Sequence, residues 1–300
     1  MKHTLSVTAF LVLIFFISQV VGLAVVNQYI DYEKTEEVGE VVYEALPYDM
    51  ERPPIEEKSS FVFIMAAVLI GTLIVLLLIK FRKPKLWKAW FFFAVTLTLA
   101  ISLSAFMPQY FALSLAILFA ALKIFRPNVI IHNLTEIFIY GGLAAIFVPV
   151  MNLFAAIALL VLISIYDAYA VWKSKHMVKM ADFQTKSNIF AGLFIPYGGA
   201  SMRVKKTKIP KPPKKGRIAI LGGGDIGFPL LFAGVVMKGL MMSNIFWIGF
   251  LKSLIIPLFA TVALSILFIK SEKDKFYPAM PFITAGCLLG YAAVILVNLI

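Results

Sequence analysis

Long runs of apolar residues, separated by short charged segments, divide this 300-residue chain. Nine runs are present, at about residues 5–26, 61–80, 87–107, 109–125, 129–149, 151–172, 218–238, 244–269 and 277–299. Most have close to 20 residues, the length at which a helix crosses a hydrocarbon layer about 30 Å thick. The pattern predicts an all-α membrane protein of about nine transmembrane helices in a single polytopic domain, 1–300. Residues 1–172 would hold spans one to six, 173–216 a basic cytoplasmic loop, and 217–300 spans seven to nine.

The composition supports a multi-pass protein of the cell membrane, in contact with lipid. Apolar residues make up 61 % of the chain and charged residues 15 %, against roughly 25 % charged residues in soluble domains. The net charge of +12 could attract nucleic acid, but a positive-inside bias of the membrane loops explains it better. No nucleic-acid partner is therefore expected.

The loops alternate in charge, which predicts the orientation of the spans. Segment 27–60 holds ten acidic and three basic residues, whereas 80–88 holds five basic and no acidic residues. Segment 173–217 holds twelve basic residues against one acid. Since basic loops stay in the cytoplasm, we expect a cytoplasmic N-terminus and a C-terminus outside. An alternative is that 1–24 is a cleaved signal peptide, but its apolar run is long for that role, and we favour an anchor.

The fifth apolar run is the weakest, because it opens with four polar residues: His132, Asn133, Thr135 and Glu136. The basic clusters on both sides nevertheless require an even number of crossings between them. Gly141, Gly142 and Pro149 are the places where a bend or turn is expected in this stretch.

Three acidic residues lie within or at the edge of predicted spans, namely Glu136, Asp167 and Asp225. An ionisable group at the centre of a membrane helix costs about 3 kcal/mol on insertion scales, so such residues are candidates for function. Three roles are open for Glu136: a hydrogen bond in helix packing, which we favour, pairing with Lys123, or part of a cavity wall.

The depths of the other two acids match. Asp167 precedes Lys173 by six residues, and Asp225 follows Arg217 by eight, which places them about 9 and 12 Å inside the same face at 1.5 Å per residue. Two antiparallel helices would thus form a carboxylate dyad, in which one acid keeps a proton and the other activates water for attack on a peptide carbonyl. A proton-coupled transporter also uses such acids beside interrupted helices, and remains the main alternative.

A glycine run, Gly222, Gly223 and Gly224, precedes Asp225. The stretch RIAILGGGDIG formally matches a dinucleotide-binding fingerprint. That fold needs a further acid about 20 residues on, yet none occurs before Glu272. The glycines are therefore interpreted as small residues for close helix approach. No cofactor is expected, and the three scattered histidines predict no metal site.

The last span begins with YPAMP, in which Pro278 and Pro281 follow closely after Lys275. Two prolines three residues apart are expected to weaken the helical hydrogen-bond ladder. Such irregular backbone at membrane depth persists only inside protein or beside a wet cavity. The two acids, the glycine run and the proline pair are thus all expected near the cytoplasmic face.

The three motifs resemble those of the presenilin and signal peptide peptidase family, and the chain looks like an archaeal presenilin homologue. The family has YD, GxGD and PAL on its sixth, seventh and ninth spans; here SIYDAYAVW, GGGD and PAMP stand in that order. The resemblance implies an intramembrane aspartyl protease with Asp167 and Asp225 as catalytic residues. The substrate-binding residues expected from the motifs are Tyr166, Gly222, Gly223, Gly224, Pro278, Ala279, Met280 and Pro281.

The resemblance also implies substrates that are transmembrane helices or remnant signal peptides. Presenilins work within a larger complex and the peptidases alone; this short chain looks closer to the second group, and a homo-oligomer is left open. Prepilin peptidases share GxGD, but nine spans and PAMP argue against that group.

Two parts of the basic loop and its end carry further predictions. The segment 217–221 is apolar and β-branched, and is expected to offer a strand edge to an unwound substrate. The segment 189–197, IFAGLFIPY, is apolar enough to touch the membrane or to cover the site. The intervening basic tail is typical of a solvated loop near anionic headgroups.

Overall fold

The computed structural model describes residues 5–81, 83–174, 177, 180, 183–184, 190–197, 217–243, 246–272 and 277–299. The helices with defined bounds are α1 (Leu5–Gln28), α2 (Tyr32–Val38), α3 (Ser60–Lys80), α4 (Pro84–Ser104), α5 (Gln109–Phe125), α6 (Val129–Phe147), α7 (Leu153–Ala168), α8 (Gly223–Ser243), α9 (Phe246–Ser253), α10 (Ile255–Lys270) and α11 (Met280–Leu299). A π-helical turn, Tyr169–Lys173, continues α7.

Eight helices in the described part of the chain are long and apolar enough to cross a membrane. These are α1, α3, α4, α6, α7 with its π-helical turn, α8, the consecutive α9 and α10, and α11. The fourth predicted span, α5, is shorter, with 17 residues, the lower end of the spanning range of about 17–25. The predicted multi-pass bundle is confirmed, and the orientation of its termini stays a prediction.

Helix α8 lies at the centre of the bundle. It contacts α1, α6, α7 and α11, and 72 % of its central residues are buried. The remaining packing is built around this centre: α1 packs against α6 and α10, while α4 and α5 form a second apolar core against α6. The helix that carries Asp225 is therefore the most enclosed of the candidate spans.

Of the three places predicted for a bend or turn, Pro149 lies in one, because α6 ends at Phe147 and a turn follows. The prediction is wrong at Gly141 and Gly142, through which α6 continues. A Cβ added at Gly142 would lie 2.0 Å from the carbonyl oxygen of Thr98 in α4, and one at Gly141 would lie 2.9 Å from Val25 in α1. The two glycines let three helix backbones approach closely, as small residues do in membrane bundles.

A two-stranded antiparallel sheet departs from the all-α prediction. Its strands are β1 (Gly192–Tyr197) and β2 (Arg217–Gly222), with Gly192 opposite Gly222 and Tyr197 opposite Arg217. The predicted strand at 217–221 is confirmed, and the seventh span consequently begins at Gly223 rather than at 218. Leu193 is fully buried, so the apolar segment around it packs into the protein.

The last helix begins at Met280, later than the predicted residue 277. Pro278 precedes the helix, and Pro281 lies in its first turn, where a backbone N–H has no intrahelical acceptor. The prediction that the two prolines weaken a helical ladder is therefore wrong, since both occupy positions that a helix start tolerates.

Candidate active site

Asp167 lies one residue before the end of α7 and is 6 % exposed. Its Oδ2 accepts a hydrogen bond of 3.1 Å from the backbone N–H of Met280, and the Ala279 N–H also interacts with it. These N–H groups belong to the start of α11, whose first turn has no internal acceptors for them. Asp167 therefore caps another helix, and the positive end of that helix favours its negative charge.

The π-helical turn follows Asp167 after a single intervening residue. Turns of this kind are rare and occur frequently at functional sites. The wider π-helical turn therefore begins two residues after the buried Asp167.

Asp225 is the third residue of α8 and is 7 % exposed. Its Oδ2 accepts a hydrogen bond of 3.2 Å from the N–H of Gly222, the last residue of β2. The carboxylate therefore caps the helix that carries it. Pro229 lies four residues further on and has no N–H, so the carbonyl of Asp225 lacks its usual intrahelical donor.

Asp167 and Asp225 are both buried and lie on neighbouring helices of the bundle. Helix α7 packs against α8, and the Asp167 carboxylate is near enough to act electrostatically on that of Asp225. Each carboxylate is held by backbone N–H groups at a helix start. Burial of both acids is one of the conditions for a pair that shares one proton.

The glycine run lies against neighbouring groups at short range. A Cβ added at Gly223 would lie 2.7 Å from the Tyr140 hydroxyl oxygen. At Gly222 it would lie 3.3 Å from Asp225 Oδ2, and at Gly224 3.3 Å from the Phe228 ring. The interpretation of this run as a site of close approach is confirmed most clearly at Gly223.

The other predicted site residues lie around the two acids in different ways. Ala279 and Met280 are buried, and the backbone of this pair reaches Asp167. Pro278 is buried and Pro281 half-buried beside them. The Tyr166 hydroxyl lies 3.0 Å from Thr72 Oγ1 of α3, so the structure gives that side chain a contact between α7 and α3.

Glu136 pairs with Lys123, with 2.6 Å between Oε1 and Nζ. Its Oε2 accepts hydrogen bonds from the Tyr140 hydroxyl and, at 2.9 Å, from the Gly192 N–H. Of the three roles left open by the sequence, ion pairing is observed. Tyr140 was missed by sequence reasoning, although its spacing of four from Glu136 was a usable signal.

The described residues contain no cluster of three or more His, Cys, Asp or Glu side chains suited to a metal ion.

Comparison with known proteins gives matches over almost the whole chain. The family described as "Signal-peptide peptidase, presenilin aspartyl protease" matches residues 12–300. Two solved structures of a presenilin family intramembrane aspartate protease, in space groups C222 and P2, are similar in fold, each at 18 % identity. Their TM-scores are 0.62 and 0.59; the alignments cover 97 % and 96 % of this chain, and 99 % and 97 % of the other chain. Comparison with curated proteins gives no match.

Proposed function

Because the chain belongs to the signal-peptide peptidase and presenilin family of aspartyl proteases, we propose that Asp167 and Asp225 are the catalytic pair of this intramembrane protease. The observation that supports the proposal is that α7 and α8, which pack against each other, each hold a buried carboxylate. Each is fixed by backbone N–H groups, which hold a carboxylate without a competing positive side chain.

The pair acts on a peptide bond as one unit that carries a single proton. The ionised carboxylate takes a proton from water as the water oxygen bonds to the carbonyl carbon, and the protonated carboxyl donates a hydrogen bond to the carbonyl oxygen. The C–N bond then breaks, and a proton passes from the pair to the leaving nitrogen.

The edge of β2 that faces away from β1 is the proposed docking edge for the substrate; among the described residues, its Gly222 N–H donates to Asp225. In β1, the backbones of Gly192 and Phe194 bond to side chains of α6, so these residues face away from β2. In an antiparallel pair, the residues opposite them then also point away from the partner strand. Gly222 and Ile220 therefore direct their N–H and C=O groups to the other side, and the Ile220 side chain is 42 % exposed.

An extended peptide can add to such an edge through main-chain hydrogen bonds. Strand β2 runs directly into Gly222 and Asp225, so a peptide paired with it would pass the carboxylates. The proposed substrates are transmembrane helices or remnant signal peptides that unwind locally to form this strand. We propose that the chain cleaves them without accessory subunits.

The test is cleavage of a labelled transmembrane peptide by purified protein in lipid vesicles. Wild type is compared with Asp167→Ala and Asp225→Ala, and with Asp31→Ala, which removes a carboxylate paired with Lys34 in the predicted outer loop. We expect wild type and the Asp31 variant to cleave at similar rates and both other variants to be inactive. Equal activity in all four proteins would refute the assignment of the dyad.

A further inference from the structure

Four buried polar side chains of α6 take no part in the proposed chemistry. They are His132, Asn133, Glu136 and Tyr140, with exposures of 2 %, 7 %, 1 % and 5 %, and are called the α6 polar face below. Their spacing of one, four and eight residues places them on one side of the helix. Burying this many polar groups at membrane depth is costly unless each has a partner, so the partners are informative.

The first partner is the outer edge of β1. Asn133 bonds the Phe194 backbone twice, with Nδ2 2.9 Å from the carbonyl oxygen and Oδ1 3.1 Å from the N–H nitrogen. Two residues earlier, the Gly192 N–H donates to Glu136 Oε2, and the Gly192 carbonyl lies 2.8 Å from His132 Nε2. Side chains of α6 thus occupy the hydrogen-bonding positions of a third strand.

The remaining residue of β1 that faces this way is Pro196, which has no N–H to satisfy. Proline is confined to such edge positions in sheets. The alternation of Gly192, Phe194 and Pro196 therefore fits an edge closed by α6, and leaves the β2 edge as the open one of the described sheet.

The second partner is the backbone around Asp225. Tyr140 donates its hydroxyl to Glu136. Its side chain also limits the space at Gly223, where a Cβ would lie 2.7 Å from the hydroxyl oxygen, and at Gly227, where one would lie 3.6 Å from the ring. One face of α6 therefore touches both strand β1 and the residues on either side of Asp225.

Lys123 of α5 completes the cluster. Its ammonium lies 2.6 Å from Glu136 and 2.9 Å from Thr135 Oγ1, and the side chains of the ion pair are 2 % and 1 % exposed. Removing one partner of a buried pair leaves an uncompensated charge, whereas replacing both with apolar residues is often neutral for stability. Replacing both members of the pair therefore tests the positioning of β1 and β2 without leaving a buried charge uncompensated.

We propose that the α6 polar face positions the start of α8, which carries Asp225, and the substrate-docking strand β2. Asn133, Glu136 and Tyr140 are positioning residues: they fix β1, which fixes β2 and the start of α8, and thereby set where Asp225 and the docked peptide bond meet. This inference rests on the proposed function above.

The central experiment uses the double variant Lys123→Met/Glu136→Leu, which removes the ion pair and the hold on Gly192. We expect a lower thermal unfolding midpoint, because the Gly192 N–H and the Tyr140 hydroxyl lose their acceptor. We also expect a kcat, measured per folded protein, lower by about 10²-fold, the effect of a misplacement of about 1 Å at a catalytic group. The peptide products should also shift in position, because β2 is no longer held in place. A mere loss of folded protein would lower the yield without moving the cleavage site.

A milder, matched pair guards against failure of the double variant to fold. Tyr140→Phe removes the hydroxyl bond to Glu136, whereas Tyr29→Phe removes an equally buried hydroxyl bond of 2.7 Å to the Ile101 carbonyl. We expect a lower kcat and altered cleavage positions for Tyr140→Phe alone. Wild-type rates and products in both variants would overturn the inference.

Amide hydrogen exchange provides a readout that needs no catalysis. In the Asp225→Ala background, Asn133→Leu should speed exchange of the 192–197 backbone, because the Phe194 N–H loses its acceptor. If wild type fails to cleave, the proposed function itself fails. If wild type cleaves and the Asp225 variant does not, while the α6 variants match wild type in rate, products and exchange, the positioning role alone is refuted.

Discussion

The sharpest test of the geometry at the start of α8 is the addition of one methyl group, in Gly223→Ala. The new Cβ would lie 2.7 Å from the Tyr140 hydroxyl oxygen, and 3.3 and 3.4 Å from two ring carbons. Tyr140 is 5 % exposed and its hydroxyl is bound to Glu136, so it has little freedom to retreat. The start of α8, two residues before Asp225, has to give way.

Gly223→Ala is expected to change the unfolding free energy only slightly and kcat strongly. Overpacking a buried site costs about 1–3 kcal/mol, while alanine gains up to about 1 kcal/mol over glycine in a helix. The net loss of stability is therefore about 0–2 kcal/mol, which leaves the protein folded. A shift of about 1 Å in Asp225 lowers kcat about 10²-fold, so activity should fall far more than stability.

The assay is peptide cleavage in vesicles alongside a thermal unfolding curve for each variant. The matched control is Gly239→Ala in the same helix, where an added Cβ meets nothing within 4 Å, and which should keep full activity. Combining Gly223→Ala with Tyr140→Phe removes the closest atom, so the double variant should cleave faster than Gly223→Ala alone. Wild-type activity of Gly223→Ala, or no recovery in the double variant, would refute the reasoning.

Three further substitutions test other parts of the site and bundle. Ile220→Pro removes an N–H on the open edge of β2 without breaking the pairing with β1 and should lower kcat/KM at least several-fold in the peptide assay; unchanged kinetics would argue against strand docking. Met280→Pro suits the first position of a helix but deletes the N–H that holds Asp167, so cleavage should be lost while Met280→Leu, nearly equal in volume, stays active; an active proline variant would contradict this role. Gly142→Ala would place a Cβ 2.0 Å from a backbone oxygen of α4 and should cost about 1–3 kcal/mol in unfolding free energy, whereas Gly71→Ala, with nothing within 4 Å, should not lower the unfolding midpoint.

Features that depend on local sequence and membrane depth were predictable. The charge of the flanking loops and the rise of a helix were enough to predict Asp167 and Asp225 at one level, and the structure buries both acids on helices that pack against each other. The β-branched run before Gly222 likewise forms a strand, because its preference for extended backbone is local.

Features that depend on tertiary partners were not predictable from the chain alone. The bond between Glu136 and the Gly192 N–H joins residues 56 positions apart, and no periodic pattern connects them. At Gly141 and Gly142, the composition is equally compatible with a bend and with a close helix crossing, and only the neighbouring helices α1 and α4 decide between them. The start of α11 was misplaced because the acceptor for its first N–H groups is a side chain of α7.

The Lys123–Glu136 pair also bears on how this protein is made. Its members lie 13 residues apart on consecutive helices. The two charges can therefore neutralise each other once α5 and α6 have been synthesised, before β1 and β2 leave the ribosome. A helical hairpin whose opposite charges are already joined enters the bilayer at a lower cost than two separately charged helices. The surface of α6 is thus synthesised before β1 and α8, the elements that pack against it.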